Sequence, residues 1–399
     1  MPQKRNNSNI NDLKLRNMHV RTSFGLQTNH EYFQNLYSLE EGVYITIHGK
    51  RICKVNINVK HDGHYYFPHQ HWVSRMICIN VSPCHNFIAA SVVGTNEDNG
   101  LENGIGSVLI YSNDIDNGLH KRPKTLMLPN SSSSMRLDRI VTGVTFSHDS
   151  HILALFTNIA SDGVYVYDWL LEQLVQQIPV NFGVTSVHFN LRNETRMAIS
   201  GNDDAIEFWH YTKKTAHIAP IRGLPASEAN YLCCLWLEYN VVLAGTDEGD
   251  LVLIHGVECK QVLEAFHPIN DEDKDIFPSI VGIIHKPISN TIIVMSSDAR
   301  IGIYSMESAN NKYKSIHLEL LSQWYIAGTE THPYRDVRNI SWHNDNPDSM
   351  RIVVTFRSSV EVFEPVRLEI IGDPKVPQKL NSQQILLETL DINFRKIEF

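Results

Sequence analysis

Seven times along the chain, a short apolar run is followed by a turn of small or polar residues and then by a run that alternates apolar and polar. The stretches are VYITIHGKRICKVNI from Val43, FIAASVVG to GSVLIYS from Phe87, ILALFTNIASDGVYVYDW from Ile152, RMAISGNDDAIEFWH from Arg196, VVLAGTDEGDLVLI from Val241, IIVMSSDARIGIYSM from Ile292 and RIVVTFRSSVEVFE from Arg351. A period of two on either side of a Gly-, Asp-, Asn- or Ser-bearing turn predicts a β-hairpin, because these residues accept positive φ or bond to their own backbone. A further alternating run precedes most hairpins: MICINVSPCHN, VTGVTFSHDS, VTSVHFNLRN, YLCCLWLEYN, IVGIIHKPISN and VRNISWHNDN. A more variable fourth run, such as LVQQIPV or QVLEAFH, follows. The predicted unit therefore has four strands.

Val43, Ile88, Leu153, Met197, Val242, Ile293 and Ile352 occupy equivalent positions. Their shorter intervals are about 45 residues, the length of a WD-type propeller blade. The longest interval holds Thr95–Gly106 (TNEDNGLENGIG) and Pro129–Ser134 (PNSSSS), which read as exposed loops, and a later one holds TETHPYRD near Thr329. The expected fold is all-β: a WD40-like β-propeller of seven four-stranded blades over residues 25–370. A flexible N-terminal tail is expected over 1–24. A C-terminal tail is expected over 371–399, where SQQILLETLDINFRKIEF has the pattern of one short helix. Ring closure hides strand edges and builds one continuous core from modest blades. Asp168-Trp169 stands where WD repeats place their signature pair, and the other blades lack it. A β-sandwich followed by a second domain is the alternative, and the regular unit length argues against it.

Composition suits a folded soluble protein of 399 residues, 42% hydrophobic and 20% charged. A net charge of −9 argues against nucleic acid as a partner. The N-terminus, MPQKRNNSNINDLKLRNMHV, lacks the apolar core of a secretory signal, and no membrane-length apolar run occurs. Six scattered cysteines without CxxC spacing predict buried thiols in a reducing compartment.

Candidate chemistry is sparse. GTDEGD lacks the Lys-Ser/Thr of a P-loop and leads into a strand rather than a helix. Its acids are too crowded for a calcium loop. It reads as a hairpin turn, with Gly245 and Gly249 serving backbone geometry and Asp247, Glu248 and Asp250 facing water. The cluster His61, His64, His69 and His71 is the best metal candidate, yet it lacks HExxH, paired cysteines or a helix to fix its spacing, and reads as a polar loop. Lys121-Arg122-Pro123-Lys124 reads as a solvated loop rather than an import signal or anion contact. Trp72, Trp169, Trp209, Trp236, Trp324 and Trp342 are expected to pack between blades, or to anchor a partner where exposed. No GxSxG, Walker, HExxH or kinase pattern is present. No catalytic, cofactor-binding or metal residue is assigned, and the expected protein is not an enzyme.

The stretch Arg222–Gly256, RGLPASEANYLCCLWLEYNVVLAGTDEGDLVLIHG, resembles the N-terminal WD-repeat region of the cilia- and flagella-associated protein 57 family. The matching residues are Asn230, Tyr231, Leu232, Trp236, Gly245, Thr246, Asp247, Gly249 and Leu251. Weaker collinear pieces extend the likeness over about 25–370, including Phe24-Gly25-Leu26, INVSPCHNFIAAS, VTFSHDSHILALFT with VYVYDW, and SGNDDAIEFWHY. The resemblance implies a non-catalytic scaffold of the ciliary or flagellar axoneme. Its implied partners are the microtubule doublet and inner-arm dynein or regulatory complexes, with no cofactor, nucleic acid or membrane. Relatives carry further repeats and a long coiled coil that this chain does not show, as a fragment, a short isoform or a diverged paralogue would not. Two other readings are a cytosolic WD-repeat adaptor in a ligase or trafficking complex, and a hydrolase with acids or histidines converging at the central channel.

Overall fold

A computed structural model describes residues 18–25, 36–40, 43–56, 64–68, 70–95, 102–113, 122–129, 139–157, 159–160, 162–191, 195–212, 217–218, 221–224, 229–238, 240–266, 278–286, 290–298, 300–308, 316–325, 337–343, 351–356 and 359–365. Strand β1 (Met18–Gly25) comes first. Blade 1 holds β2 (Leu36–Glu40), β3 (Val43–His48), β4 (Arg51–Asn56) and β5 (His64–Tyr66). Blade 2 holds β6 (Val73–Val81), β7 (Phe87–Thr95), β8 (Glu102–Ser112) and β9 (Lys124–Met127). Blade 3 holds β10 (Gly143–Phe146), β11 (Ile152–Phe156), β12 (Val164–Asp168) and β13 (Gln173–Ile178). Blade 4 holds β14 (Val184–Phe189), β15 (Arg196–Gly201), β16 (Ile206–His210) and β17 (His217–Ile218). Blade 5 holds β18 (Tyr231–Glu238), β19 (Val241–Thr246), β20 (Asp250–His255) and β21 (Glu258–Glu264). Blade 6 holds β22 (Ile280–Lys286), β23 (Thr291–Ser296), β24 (Arg300–Ser308) and β25 (Ile316–Tyr325). Blade 7 holds β26 (Val337–His343), β27 (Arg351–Phe356) and β28 (Ser359–Pro365), and β1 completes it as the outer strand.

The first strand of each blade touches the first strand of the next, from β2 through β6, β10, β14, β18, β22 and β26 back to β2. The sheets therefore form a closed seven-bladed WD40-like β-propeller with these strands innermost. Each innermost strand of blades 2–7 is one of the runs that precede the predicted hairpins.

The core is a series of layers, each shared by two blades. Strict alternation on the second strand drives this, since side chains leave opposite faces of a strand in turn. In β11, Leu153 and Leu155 enter the layer between blades 2 and 3, while Ala154 enters the layer between blades 3 and 4. In β15, Met197 and Ile199 face blade 3 and Ala198 faces blade 5. In β19, Leu243 faces blade 6 and Ala244 faces blade 4. Both faces of these strands are dry, so a register slip of one residue would exchange large and small side chains in two layers at once.

Polar ties between blades reinforce the layers. Thr145 Oγ1 donates to the Val187 carbonyl at 3.0 Å. Thr185 Oγ1 donates to the Tyr231 carbonyl at 2.5 Å. Trp236 Nε1 donates to the His188 carbonyl at 2.9 Å. Asn80 bridges blades 1 and 3, donating from Nδ2 to the Tyr37 hydroxyl and accepting from the Phe146 backbone N–H.

The chain departs from the expected boundaries in three places. Met18–Phe24, assigned to the flexible tail, belong to β1, which pairs antiparallel with β28 from Met18↔Pro365 to Gly25↔Ser359. The pairing is invisible locally because its partner lies at the far end of the fold. Glu102–Gly106, expected in an exposed loop, extend β8, with Thr95 opposite Glu102 and Gly106 buried. Blade 1 has its innermost strand at β2, a run that the hairpin pattern did not pick out. The expected C-terminal helix, PNSSSS beyond Pro129, and TETHPYRD lie outside the described residues.

Removing residues 1–25 is expected to leave β28 as a bare edge and to lower unfolding stability by about 3 kcal/mol or more, given the number of ladder hydrogen bonds lost. Urea titration of the truncated protein, with and without a synthetic Met18–Gly25 peptide, checks this: the peptide should restore the midpoint.

Candidate docking face

The connections between blades and the hairpin turns joining the second and third strands of each blade meet on one face of the ring. An aspartate recurs in these hairpin turns: Asp162 in blade 3, Asp204 in blade 4, Asp247 in blade 5 and Asp298 in blade 6. Each turn is built differently around it.

In blade 3, Arg139 comes from the connection before β10. Its Nε donates to Asp162 Oδ2 at 3.0 Å, and its Nη2 lies 2.8 Å from Asp162 Oδ1. Nη1 donates to the Pro129 carbonyl at 2.8 Å, and Nη2 also donates to the Tyr165 hydroxyl at 2.5 Å. Arg139 is buried. Burial opposes its charge, but Asp162 and Tyr165 outweigh that and raise its pKa. Burial, then the Asp162 charge, push the Tyr165 hydroxyl up to about 12. A bidentate arginine–carboxylate pair at this position locks the turn onto the connection.

In blade 5, Asn230 precedes β18 and Asp247 opens the turn after β19. Asp247 accepts from the Asn230 backbone N–H at 2.7 Å and from Asn230 Nδ2 at 2.6 Å. The Asp247 N–H donates back to the Asn230 carbonyl. Neighbouring blades join this pair. Asn230 Oδ1 accepts from the Asp203 N–H of blade 4, and the Asp247 carbonyl accepts from Ser279 Oγ, just before blade 6. One Asn–Asp pair thus ties three blades. In blade 6, Ser296 Oγ accepts from the Arg300 N–H and bonds Asp298, which also forms an ion pair with Arg300 Nε at 2.8 Å.

GTDEGD is a hairpin turn, as its sequence predicts, but its residues divide differently. Glu248 is exposed, whereas Asp247 and Asp250 are half-buried, and Asp247 is a structural tie rather than a solvated side chain. Gly249 has φ of 86° and needs the freedom of glycine. Gly245 instead makes room, since a Cβ there would fall 2.5 Å from Ile280 Cγ2 of the next blade.

The other expected site residues scatter. His61 and His69 lie outside the described residues, His64 begins β5, and His71 is exposed. Among the described residues, no three His, Cys, Asp or Glu are grouped to hold a metal. Lys124 belongs to β9 and donates to the Leu170 carbonyl at 2.7 Å, so it is not part of a free basic loop. Trp169 is buried against Phe87 and Phe146 and donates to the Ser150 carbonyl, while Asp168 caps the following turn through the Leu171 N–H. Trp236 is buried between blades 4 and 5. Trp72 and Trp209 are half-buried. Trp324 and Trp342 lie in β25 and β26, with side chains outside the description. All six cysteines are free, but only Cys53, Cys78 and Cys234 are buried, and Cys84 is exposed. Arg139 and Tyr165 carry no motif. The aspartate just before the third strand in successive blades was the signal that could have found their site.

Two histidines of the innermost strands, His188 and His285, have depressed pKa values. Loss of hydration lowers His188 to about 4, partly offset by its bond to the Phe189 carbonyl. Burial also lowers His285, with a smaller opposing effect from Asn290 and Glu238. Both are held neutral. The carboxylates whose pKa is raised, Asp204 and Asp250, lie in blades 4 and 5 at the turns.

No protein-family model and no curated protein matches this chain. Solved structures do match. A chain in the crystal structure of a mitotic checkpoint complex aligns with a TM-score of 0.62 and 11% identity, covering 92% of this chain and 97% of that one. At this identity the likeness is one of fold.

Asp247→Ala strands two Asn230 donors and should destabilise the protein by about 2 kcal/mol, whereas Glu248→Ala should stay within about 0.5 kcal/mol. Urea midpoints of the two variants check this. His188 makes a second, pH-dependent prediction. Its folded pKa is depressed, so as pH falls through the ordinary imidazole range the unfolded chain takes up a proton that the folded chain refuses. Stability contributed by His188 is therefore full above about pH 6.5 and is lost progressively toward pH 4. Midpoints measured across that window should fall less steeply for His188→Gln than for the parent.

Proposed function

We propose that this protein is a non-catalytic docking platform of the ciliary or flagellar axoneme, helping to place or regulate dynein-associated complexes on doublet microtubules. The observation that carries the platform part is the stitched turn face. Binding loses less free energy to ordering when the surface is already held in place, and the Asn230–Asp247 pair holds the turns of blades 4 and 5 and the entry to blade 6 together. A WD40-like propeller is in general a scaffold for protein partners, and its function lives in such surfaces rather than in the fold itself. Exposed apolar side chains on the rim of blade 3, Leu170, Leu171, Leu174 and Val175, add a second surface of the kind that partners cover.

The ciliary part is supported by the resemblance of Arg222–Gly256. Its matching residues include Asn230 and Asp247, which build the turn face. The second reading is a cytosolic adaptor in another multiprotein complex. It is favoured by the solved structure of like fold, which belongs to a mitotic checkpoint complex.

A tagged copy expressed in a ciliated cell should appear along the axoneme, remain in detergent-extracted axonemes and co-purify with tubulin and dynein chains. Its loss should alter beating or dynein placement. Normal beating, with the protein absent from purified axonemes, would sink the ciliary proposal. Recovery with ligase or trafficking subunits would establish the adaptor instead.

A further inference from the structure

The rim of blade 3 carries a compact apolar surface. Leu170 and Leu171 stand in the turn between β12 and β13, and Leu174 and Val175 follow on β13. All four are exposed, Leu171 most of all at 65%. Four such side chains within six residues make a contiguous patch rather than scattered surface leucines. The polar positions among them and just after, Gln173, Gln176 and Gln177, are uncharged. The carboxylates of this stretch are already engaged: Asp168 accepts from the Leu171 N–H, and Glu172 Oε1 lies 3.5 Å from Lys124 Nζ.

Local geometry aims the patch. The register passes from Val166↔Gln176 to Tyr167↔Leu174, so Val175 is the extra residue of a β-bulge. A bulge re-aims side chains, and it interrupts the edge ladder that an added strand would need. Leu174 lies opposite Tyr167, so the two leave the same face of the sheet. Tyr167 belongs to the layer shared with blade 2, and its hydroxyl donates to the Met127 carbonyl of β9 at 2.9 Å. Leu174 therefore fronts the seam between the outer strands of blades 2 and 3.

A separate feature lies at one end of that seam. Lys124, which opens β9, donates to the Leu170 carbonyl at 2.7 Å and sits 6.0 Å from the centroid of the Trp169 ring. It pins the start of β9 against the turn that bears Leu170 and Leu171. Arg122 comes two positions earlier, and two residues of chain span at most about 7 Å, so it stays beside that turn. Arg122 is exposed, and among the described residues no ion pair reaches it.

Charge selects the occupant. Anionic lipid is recruited by clusters of about four to eight cations, whereas this site has Arg122 and an already paired Lys124 on a chain of net charge −9. A second copy would bring the same cations and only carboxylates that are already engaged. A segment with aliphatic side chains and a carboxylate of its own satisfies both parts of the surface.

We propose that the seam between blades 2 and 3 is a docking site for a short acidic and apolar segment of a partner protein, with aliphatic side chains against Leu171, Leu174 and Val175 and a carboxylate against Arg122. This names a partner chemistry for the docking platform; it rests on that reading and not on the ciliary assignment.

The test is selection of a displayed library of random twelve-residue peptides on the full chain, followed by fluorescence anisotropy of the recovered sequences. Binders should combine leucine, isoleucine or phenylalanine with aspartate or glutamate, and changing their acids to amides should weaken them by about fivefold or more. Leu171→Ser with Val175→Ser should weaken binding by about tenfold or more. Arg122→Gln should weaken it by about threefold or more and flatten its salt dependence, while Lys260→Gln, in blade 5, should change it by less than about twofold. Arg122 and Leu171 are exposed and lie outside any strand, so Arg122→Gln, and Leu171→Ser alone, should melt with the parent while binding more weakly, which separates loss of the site from loss of the fold. No recovered binder, binders without acids, binding indifferent to the Leu171 and Val175 substitutions, or equal weakening by Lys260→Gln would overturn the proposal. Retention of the chain on phosphatidylserine vesicles through these residues would overturn it in favour of lipid, and a sedimenting dimer that the same substitutions dissolve would overturn it in favour of a second copy. The platform reading would then still stand or fall by its own co-purification test.

Discussion

The antiparallel pairing of β1 with β28 turns an arc of seven sheets into a ring. Every described apolar layer is shared by two blades, so a blade without a neighbour on one side leaves a face of large aliphatic side chains in water. Closure supplies the missing neighbour for blades 1 and 7 together. It also gives blade 7 its outer strand. The rest of the ring follows from that arrangement: dry second strands, alanines facing one neighbour and leucines the other, and hydroxyl or indole groups reaching across to the next innermost strand.

Polar side chains do a different job at the turns. The layers are slippery and non-directional, and they fix blades against one another only through shape. Arg139 with Asp162, Asn230 with Asp247, and Arg300 with Asp298 supply direction. The first two set where the hairpin tip stands relative to the connection beside it, in blade 5 relative to both neighbouring blades as well, and the third braces the blade 6 turn against its own third strand. The turn of blade 5 is therefore held by both neighbours, and the exposed Glu248 projects from anchored backbone.

The repeating hairpins were legible in the sequence because an apolar run, a turn and an alternating run within about fifteen residues form a local signal, and all seven blades carry it. β1 was not legible. It is a single strand with no turn of its own, and its partner lies hundreds of residues away. β2, LYSLE, is too short to stand out from the polar residues around it. Asp247 was misjudged for a related reason. Crowded acids in a turn normally face water, and only the fold brings Asn230 to meet this one. Gly245 looked like a backbone requirement and proved to be a packing one, since the Ile280 that crowds it belongs to the next blade. Wherever a residue's role depended on something within a few positions of it, the pattern revealed that role. Wherever it depended on a neighbouring blade, the role emerged only in three dimensions.

Met18 lies opposite Pro365, so the chain enters and leaves the ring at the same place. In connectivity the fold is a circle with one seam. A cut at any exposed hairpin tip, with the old ends joined across that seam, would describe the same object. Nothing in the ring privileges blade 1 as a beginning. Residues 18 and 365 share one sector, and the blade 3 rim and the turns of blades 4 and 5 lie on other parts of the circumference.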